Sequence, residues 1–88
     1  MKWRIDFSIN AYKFIEKQNV KDKVIGELRK LILKLKGDSI NVNLKKLEGE
    51  WKGYYRLRKG KIRIIFEINT GKKVLYVERV DFRGNVYK

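Results

Sequence analysis

Between Tyr54 and Ile64 the chain carries five cations, Arg56, Arg58, Lys59, Lys61 and Arg63, and no acid. So much like charge on a short stretch is unfavourable unless something anionic sits against it. Arginine suits a phosphate partner, because its planar guanidinium forms two parallel hydrogen bonds to such an oxyanion. Across all 88 residues there are 23 Lys and Arg against 10 Asp and Glu, a formal net charge of +13. That sign points to nucleic acid, an anionic membrane or an acidic protein as partner. The sequence contains no Cys and no His. Disulfides and thiolate metal sites are therefore excluded, and the usual neutral-pH acid–base residue and commonest metal ligand are missing.

Metal-free RNA cleavage is a chemistry such residues can perform. The substrate's own 2′-hydroxyl attacks the adjacent phosphorus. The reaction needs a base for that hydroxyl, positive charge for the phosphorane and an acid for the leaving 5′-oxygen. Without His, the base must be Tyr, Lys, Asp or Glu. Tyrosine has an ordinary pKa of about 10, and neighbouring cations favour its phenolate. No metal or organic cofactor is called for.

The basic stretch reads as two strands joined at Lys59-Gly60, where glycine accepts a positive φ. Tyr55 and Leu57 alternate with Arg56 and Arg58. Side chains alternate across a strand, so Arg56 and Arg58 share a face, and in the second strand Ile62, Ile64, Phe66 and Ile68 alternate with Arg63, Ile65 and Glu67. Upstream, Trp3, Ile5 and Phe7 alternate with Lys2, Arg4 and Asp6 in a half-buried strand. Ser8 and Asn10 suit a helix N-cap, and Ala11, Phe14 and Ile15 have the spacing of a short helix ending near Gln18-Asn19. Val24, Ile25, Leu28, Leu31, Ile32 and Leu35 form the stripe of a longer helix, with Gly37 at its C-terminal cap. Lys23, Lys30 and Lys34 fall on its solvated side. The stretch from Asp38 to Gly53 is the least regular, with Leu44 and Leu47 expected to pin it to the core. Trp3 and Trp51 are expected as core or lid residues. A second turn spans Asn69–Lys72, with Gly71 as its permissive residue. Val74, Tyr76, Glu78 and Val80 alternate with Leu75, Val77 and Arg79 in a strand apolar on both faces, which suits a central position. Tyr76 is expected in the core.

The predicted order is β-α-α-β-β-β, an α+β fold in a single domain spanning residues 1–88. Two N-terminal helices cover one face of a small, mostly antiparallel sheet. The other face stays open for Arg56, Arg58 and Arg63. No apolar run is long enough for a membrane span or a signal-peptide core, so a cytoplasmic protein is expected.

Five segments in order resemble the RelE/ParE superfamily of toxin–antitoxin toxins. Lys46-Leu47-Glu48-Gly49 is similar to its K-L-x-G. Tyr55-Arg56-Leu57-Arg58 resembles its Y-R-x-R strand. Lys61-Ile62-Arg63-Ile64-Ile65-Phe66 resembles its Y-R-[VI]-[IV]-Y strand, with Ile62 in place of the aromatic. Arg83-Gly84-Asn85-Val86-Tyr87 is similar to its closing R-x-x-x-Y, and Phe7, Ala11 and Ile15 fit its first strand-to-helix passage. RelE-like members of that superfamily are ribosome-dependent messenger-RNA endonucleases, and ParE-like members target DNA gyrase. The closing Arg and Tyr beside a basic strand pair favour the RelE-like branch. A gyrase inhibitor or a non-catalytic nucleic-acid-binding module are the alternatives.

The resemblance implies a RelE-like fold and an acidic, RelB-like antitoxin as partner, besides the ribosome and messenger RNA. It places Arg56 and Arg58 where some RelE proteins carry catalytic lysines. Arginine polarises an oxygen but is a poor proton donor. Arg56, Arg58, Arg63 and Arg83 are therefore expected to bind the phosphate and its transition state, and Tyr87 is the candidate base. Lys59 or Lys61 could supply the acid, and the residues do not choose between them. Tyr54 could stack on a base, and Lys45 and Lys46, with Lys59 and Lys61, are expected to bind RNA.

Overall fold

The computed structural model describes residues 2–82. Ser8 is the joint between its first strand, β1 (Arg4–Phe7), and its first helix, α1 (Ile9–Gln18). The Ser8 hydroxyl accepts the Ala11 N–H at 3.1 Å, an N-cap bond that satisfies one of the helix's orphan donors. The same hydroxyl donates to the Glu78 carbonyl at 2.7 Å and so ties the joint to the sheet. Asn19 ends α1 in the left-handed region at φ 56°, a conformation short polar side chains tolerate. Helix α2 (Lys21–Leu35) follows after one further residue, and Gly37 beyond it takes φ 111°.

Four strands form an antiparallel run: β2 (Leu44–Lys46), β3 (Tyr55–Lys59), β4 (Ile62–Asn69) and β5 (Val74–Phe82). β1 adds to β5 in parallel, giving the order β1-β5-β4-β3-β2. The α+β class and the two-helix layer are as expected, and β5 lies inside the sheet as its two apolar faces required. The strand β2 was not expected. It is three residues long, too short for alternation to register, and is recognised only by its pairing with β3.

The turns differ in detail. Lys59 pairs with Ile62, so the hairpin loop is Gly60-Lys61, one residue later than predicted, with Gly60 at φ 59°. At the second turn the left-handed residue is Lys73, at φ 55°, and not Gly71. Asn69 closes that turn by accepting the Lys72 N–H on its side-chain oxygen at 2.9 Å.

The core lies between the helices and one sheet face. Val24, Leu28 and Leu31 of α2 and Ile15 of α1 meet Leu57, Ile64, Phe66, Leu75 and Val77, all fully or almost fully buried. Each such side chain contributes about 1.5–3 kcal/mol of apolar burial. Val42 and Leu44 pack against this cluster and hold the irregular stretch. Trp3 packs against it too, whereas Trp51 stands outside it, in a single 3₁₀ turn at Gly49–Trp51.

One irregularity shapes the rest. Ile65 of β4 pairs with Arg79, but Phe66 pairs with Val77, which leaves Glu78 as an extra residue in β5. Such a bulge reverses the alternation beyond it. Leu75 and Val77 before it, and Val80 and Phe82 after it, all face the helices. Arg79 and Asp81 are thereby carried to the opposite face. Tyr76 also lies there, paired with Glu67, half-buried and outside the core.

Candidate active site

The sheet face without helices carries its side chains in rows set by the strand register. One row reads Lys45, Arg56, Ile65 and Arg79 across β2 to β5. The next reads Arg58, Arg63 and Asp81 across β3 to β5. Five cations and one carboxylate therefore occupy two adjacent rows. Ile65 is only 6% exposed although it lies outside the helix-side core. The aliphatic stems of long cations can cover such a residue while their heads stay in water.

Arg58 directly opposite Arg63 is an unfavourable like-charge pair. Asp81, on the other side of Arg63, offsets it. Arg63 Nε donates to Asp81 Oδ1 and its Nη2 donates to Oδ2, both at 2.9 Å, a two-pronged bond that fixes the plane of the guanidinium. Arg79 Nε reaches Asp81 Oδ2 at 3.2 Å from a more exposed position. Arg58 Nε is buried and has no hydrogen-bond partner among the described residues. An unmet donor of this kind costs about 1–3 kcal/mol, and an oxyanion against the face would satisfy it. The arrangement can thus grip a phosphate between Arg58 and the Arg63–Asp81–Arg79 group, with Arg56 and Lys45 adding positive potential alongside.

The other end of the face is acidic and aromatic. Glu67 and Tyr76 stand opposite each other, and Asp6 pairs with Tyr76 from β1 and takes Arg4 at 3.0 Å. Tyr54 lies by this end, its ring edge-on to Trp51 with centroids 5.1 Å apart. Burial and the Glu67 and Glu78 carboxylates push the Tyr54 phenol above its ordinary range. Tyr54 is therefore a neutral phenol suited to stacking or donating, and not a base.

The expected site residues separate accordingly. Arg56, Arg58, Arg63 and Lys45 come together on the open face. Lys61 stands exposed at the tip of the hairpin loop. Lys59 falls on the helix face, where its Nζ lies 3.9 Å from the Glu27 carboxylate of α2. Lys46 pairs with Tyr55 and alternates away from the open face. Arg83 and Tyr87 lie outside the described residues. Arg79 and Asp81 escaped the sequence reading, because strict alternation along β5 set Arg79 with Leu75 and Val77 on one face. The charged residues Glu78, Arg79 and Asp81 gathered near the end of the strand were the available signal. Among the described residues no three acidic side chains converge as a metal site, and no helix is long and apolar enough to cross a membrane.

No protein-family model matches the sequence, and no curated protein matches it either. Solved structures do resemble the fold. The chain is similar to a chain of the toxin–antitoxin complex RelBE2 from Mycobacterium tuberculosis, with a TM-score of 0.70 at 19% identity over 94% of this chain and 100% of that one. It is similar to YafQ from E. coli, with a TM-score of 0.63 at 20% identity over 99% of this chain and 100% of that one. It is also similar to a chain of the archaeal RelE–RelB complex from Pyrococcus horikoshii, with a TM-score of 0.62 at 23% identity over 97% and 99%. Over nearly the full length of each, the chain has the RelE-like fold.

Proposed function

We propose that this RelE-like chain is the toxin of a type II toxin–antitoxin system and an endoribonuclease that cuts messenger RNA on the ribosome. The observation that carries this reading is the row of Arg58, Arg63 and Asp81 beside Lys45, Arg56 and Arg79 on the sheet face opposite α1 and α2. Such a face accepts an extended phosphate backbone. The fold is that of proteins solved as toxin–antitoxin complexes, and a net charge of +13 suits an acidic antitoxin, because opposite charge speeds encounter.

In the proposed reaction the 2′-oxygen forms a bond to phosphorus as the 5′-oxygen leaves, giving a 2′,3′-cyclic phosphate and a free 5′-hydroxyl. The proton from the 2′-hydroxyl passes to a base, for which Tyr87 is the candidate. Arg58 and Arg63 hold the phosphorane's added negative charge. A fixed donor of this kind contributes on the order of 3 kcal/mol to the transition state. Arg56 and Arg83 assist in binding, Arg83 polarising the leaving oxygen, which takes its proton from Lys61 or from solvent. Lys59 faces α2 and is set aside for that step. Cytoplasmic action follows from the substrate.

The test is a primer-extension map of messenger RNA in a translating extract, with the wild-type protein, Arg83→Ala and Tyr87→Phe. Discrete ribosome-dependent cuts that weaken in both variants are expected. Growth arrest without cuts would overturn the reading in favour of gyrase, which a supercoiling assay would then register.

A further inference from the structure

β1 ends at Phe7, opposite Val77, so residues 78–82 of β5 have no strand beside them on that side among the described residues. At this free edge lies a pocket of about 460 Å³, between α1 and the 3₁₀ turn. Two aromatic rings line it, Phe14 and Trp51, and each is held by an edge-on partner. Phe82 stands against Phe14 and Tyr54 against Trp51, both at centroid distances of 5.1 Å. The polar lining is Asn10, Glu78, Arg79 and Asp81.

Glu78 is the unexplained member. It is the extra residue of the bulge and is half-buried, and its carboxylate makes no hydrogen bond or ion pair among the described residues. That is unusual in a chain with 23 cations. The adjacent Arg79 turns to Asp81 instead. Asp81 and Arg79 belong both to this pocket and to the phosphate-gripping group. A nucleotide with its phosphate on that group therefore has its base within reach of the pocket.

We propose that this pocket is a nucleobase subsite that selects guanine, with Glu78 as the reading carboxylate. Guanine offers two adjacent donors, N1–H and N2–H, which match the two oxygens of a carboxylate. Cytosine offers one amino donor beside a ring acceptor, and adenine does the same. Uracil offers one N–H flanked by two carbonyls. Each alternative sets a lone pair against Glu78. The Asn10 amide supplies a donor for the guanine O6. Rigid aromatic walls and a Watson–Crick-edge contact are how single-stranded RNA bases are read. The identity of the substrate as messenger RNA rests on the proposed endonuclease function; base selection by the pocket does not.

The test is a titration of the isolated protein with GMP, AMP, CMP and UMP, followed by quenching of Trp51 fluorescence, with Trp51→Phe to identify that signal. GMP should bind more tightly than AMP by about fivefold or more, the low end of what a two-pronged base contact delivers. Glu78→Gln, which keeps the shape and loses the charge, should remove that ratio. Glu67→Gln, near Tyr54 but outside the pocket, should retain it. Equal binding of all four nucleotides, no binding, or a guanine preference that survives Glu78→Gln would overturn the proposal. Ribosome-dependent cuts with no base preference in the titration would refute the subsite and leave the endonuclease standing. Guanine binding without cuts would do the reverse.

Discussion

Replacing Asp81 by Asn probes the part of the site that is already assembled. Asp81 and Arg63 have side chains only 12% and 20% exposed, and they share two bonds of 2.9 Å. Breaking a fully buried pair costs about 3–5 kcal/mol, and one hydrogen bond to a charged group contributes about 1.5–3 kcal/mol. Asn keeps one acceptor, and a fifth of Arg63 is already solvated, so the expected loss is about 2–3 kcal/mol. Part of it is the like-charge contact of Arg58 with Arg63, left without its counter-charge. In a domain of this size that corresponds to a fall in Tm of about 10–20 °C. Thermal and urea unfolding of Asp81→Asn, Arg63→Met and the double variant would give the coupling directly, expected near 2 kcal/mol. RNA cleavage should fall by about a hundredfold, because a guanidinium displaced by an ångström loses its alignment. Affinity for single-stranded RNA should hold or rise, since the face gains a unit of positive charge. A stability loss under about 0.5 kcal/mol, or strict additivity in the cycle, would refute the idea that Asp81 fixes Arg63. A full stability loss with unchanged cleavage would leave the pair as scaffold only.

Two further outcomes follow from the placement of side chains. Lys59→Ala should cost under about 1 kcal/mol, because Lys59 is half-exposed at 3.9 Å and Lys30 at 3.2 Å still pairs the Glu27 carboxylate, and should leave cleavage within about twofold of wild type. Arg58→Ala, on the open face, should lower cleavage by about a hundredfold, and equal effects of the two in a cleavage assay would contradict the division of the hairpin between faces. For Tyr54, the folded pKa lies above its unfolded value of about 10. Its contribution to stability is then full below about pH 10 and is lost as pH rises through the folded pKa. Tyr54→Phe should accordingly lose less stability than wild type over that alkaline range in urea unfolding, and a parallel decline would refute the shift.

The two-helix layer and four of the five strands were legible because their apolar residues repeat with the helical or strand period, or flank a glycine turn. Leu28 and Leu31, Ser8 as a cap and Arg56 with Arg58 on one face could all be read this way. The features that escaped depend on pairing between distant residues. β2 exists only because Lys45 and Lys46 find β3. The face of Lys59 follows from its place opposite Ile62, one step from the turn, and from Glu27, a buried carboxylate on α2 that periodicity alone does not mark. Arg79 was misplaced because the bulge depends on the partner strand, and Asp81 was assigned to no face, whereas Tyr76, ahead of the bulge, lies opposite Leu75 and Val77 as alternation set it but outside the core.

That extra residue also works like a change of reading frame for side chains. Up to Val77, odd-numbered positions of β5 meet the helices; from Val80 onward, even-numbered positions do. Pairing Glu78 in regular alternation would exchange the parity beyond it, sending Arg79 and Asp81 into the apolar layer and Val80 and Phe82 outward, whereas deleting Glu78 would leave each of them on its present face. A one-residue change in length is therefore accommodated at the bulge, whereas elsewhere within the strand it would shift the faces of the residues beyond it. Alignments of this chain with proteins of the same fold should place a one-residue gap in this strand at residues 77–79, since a slip elsewhere within it would match open-face positions with core positions.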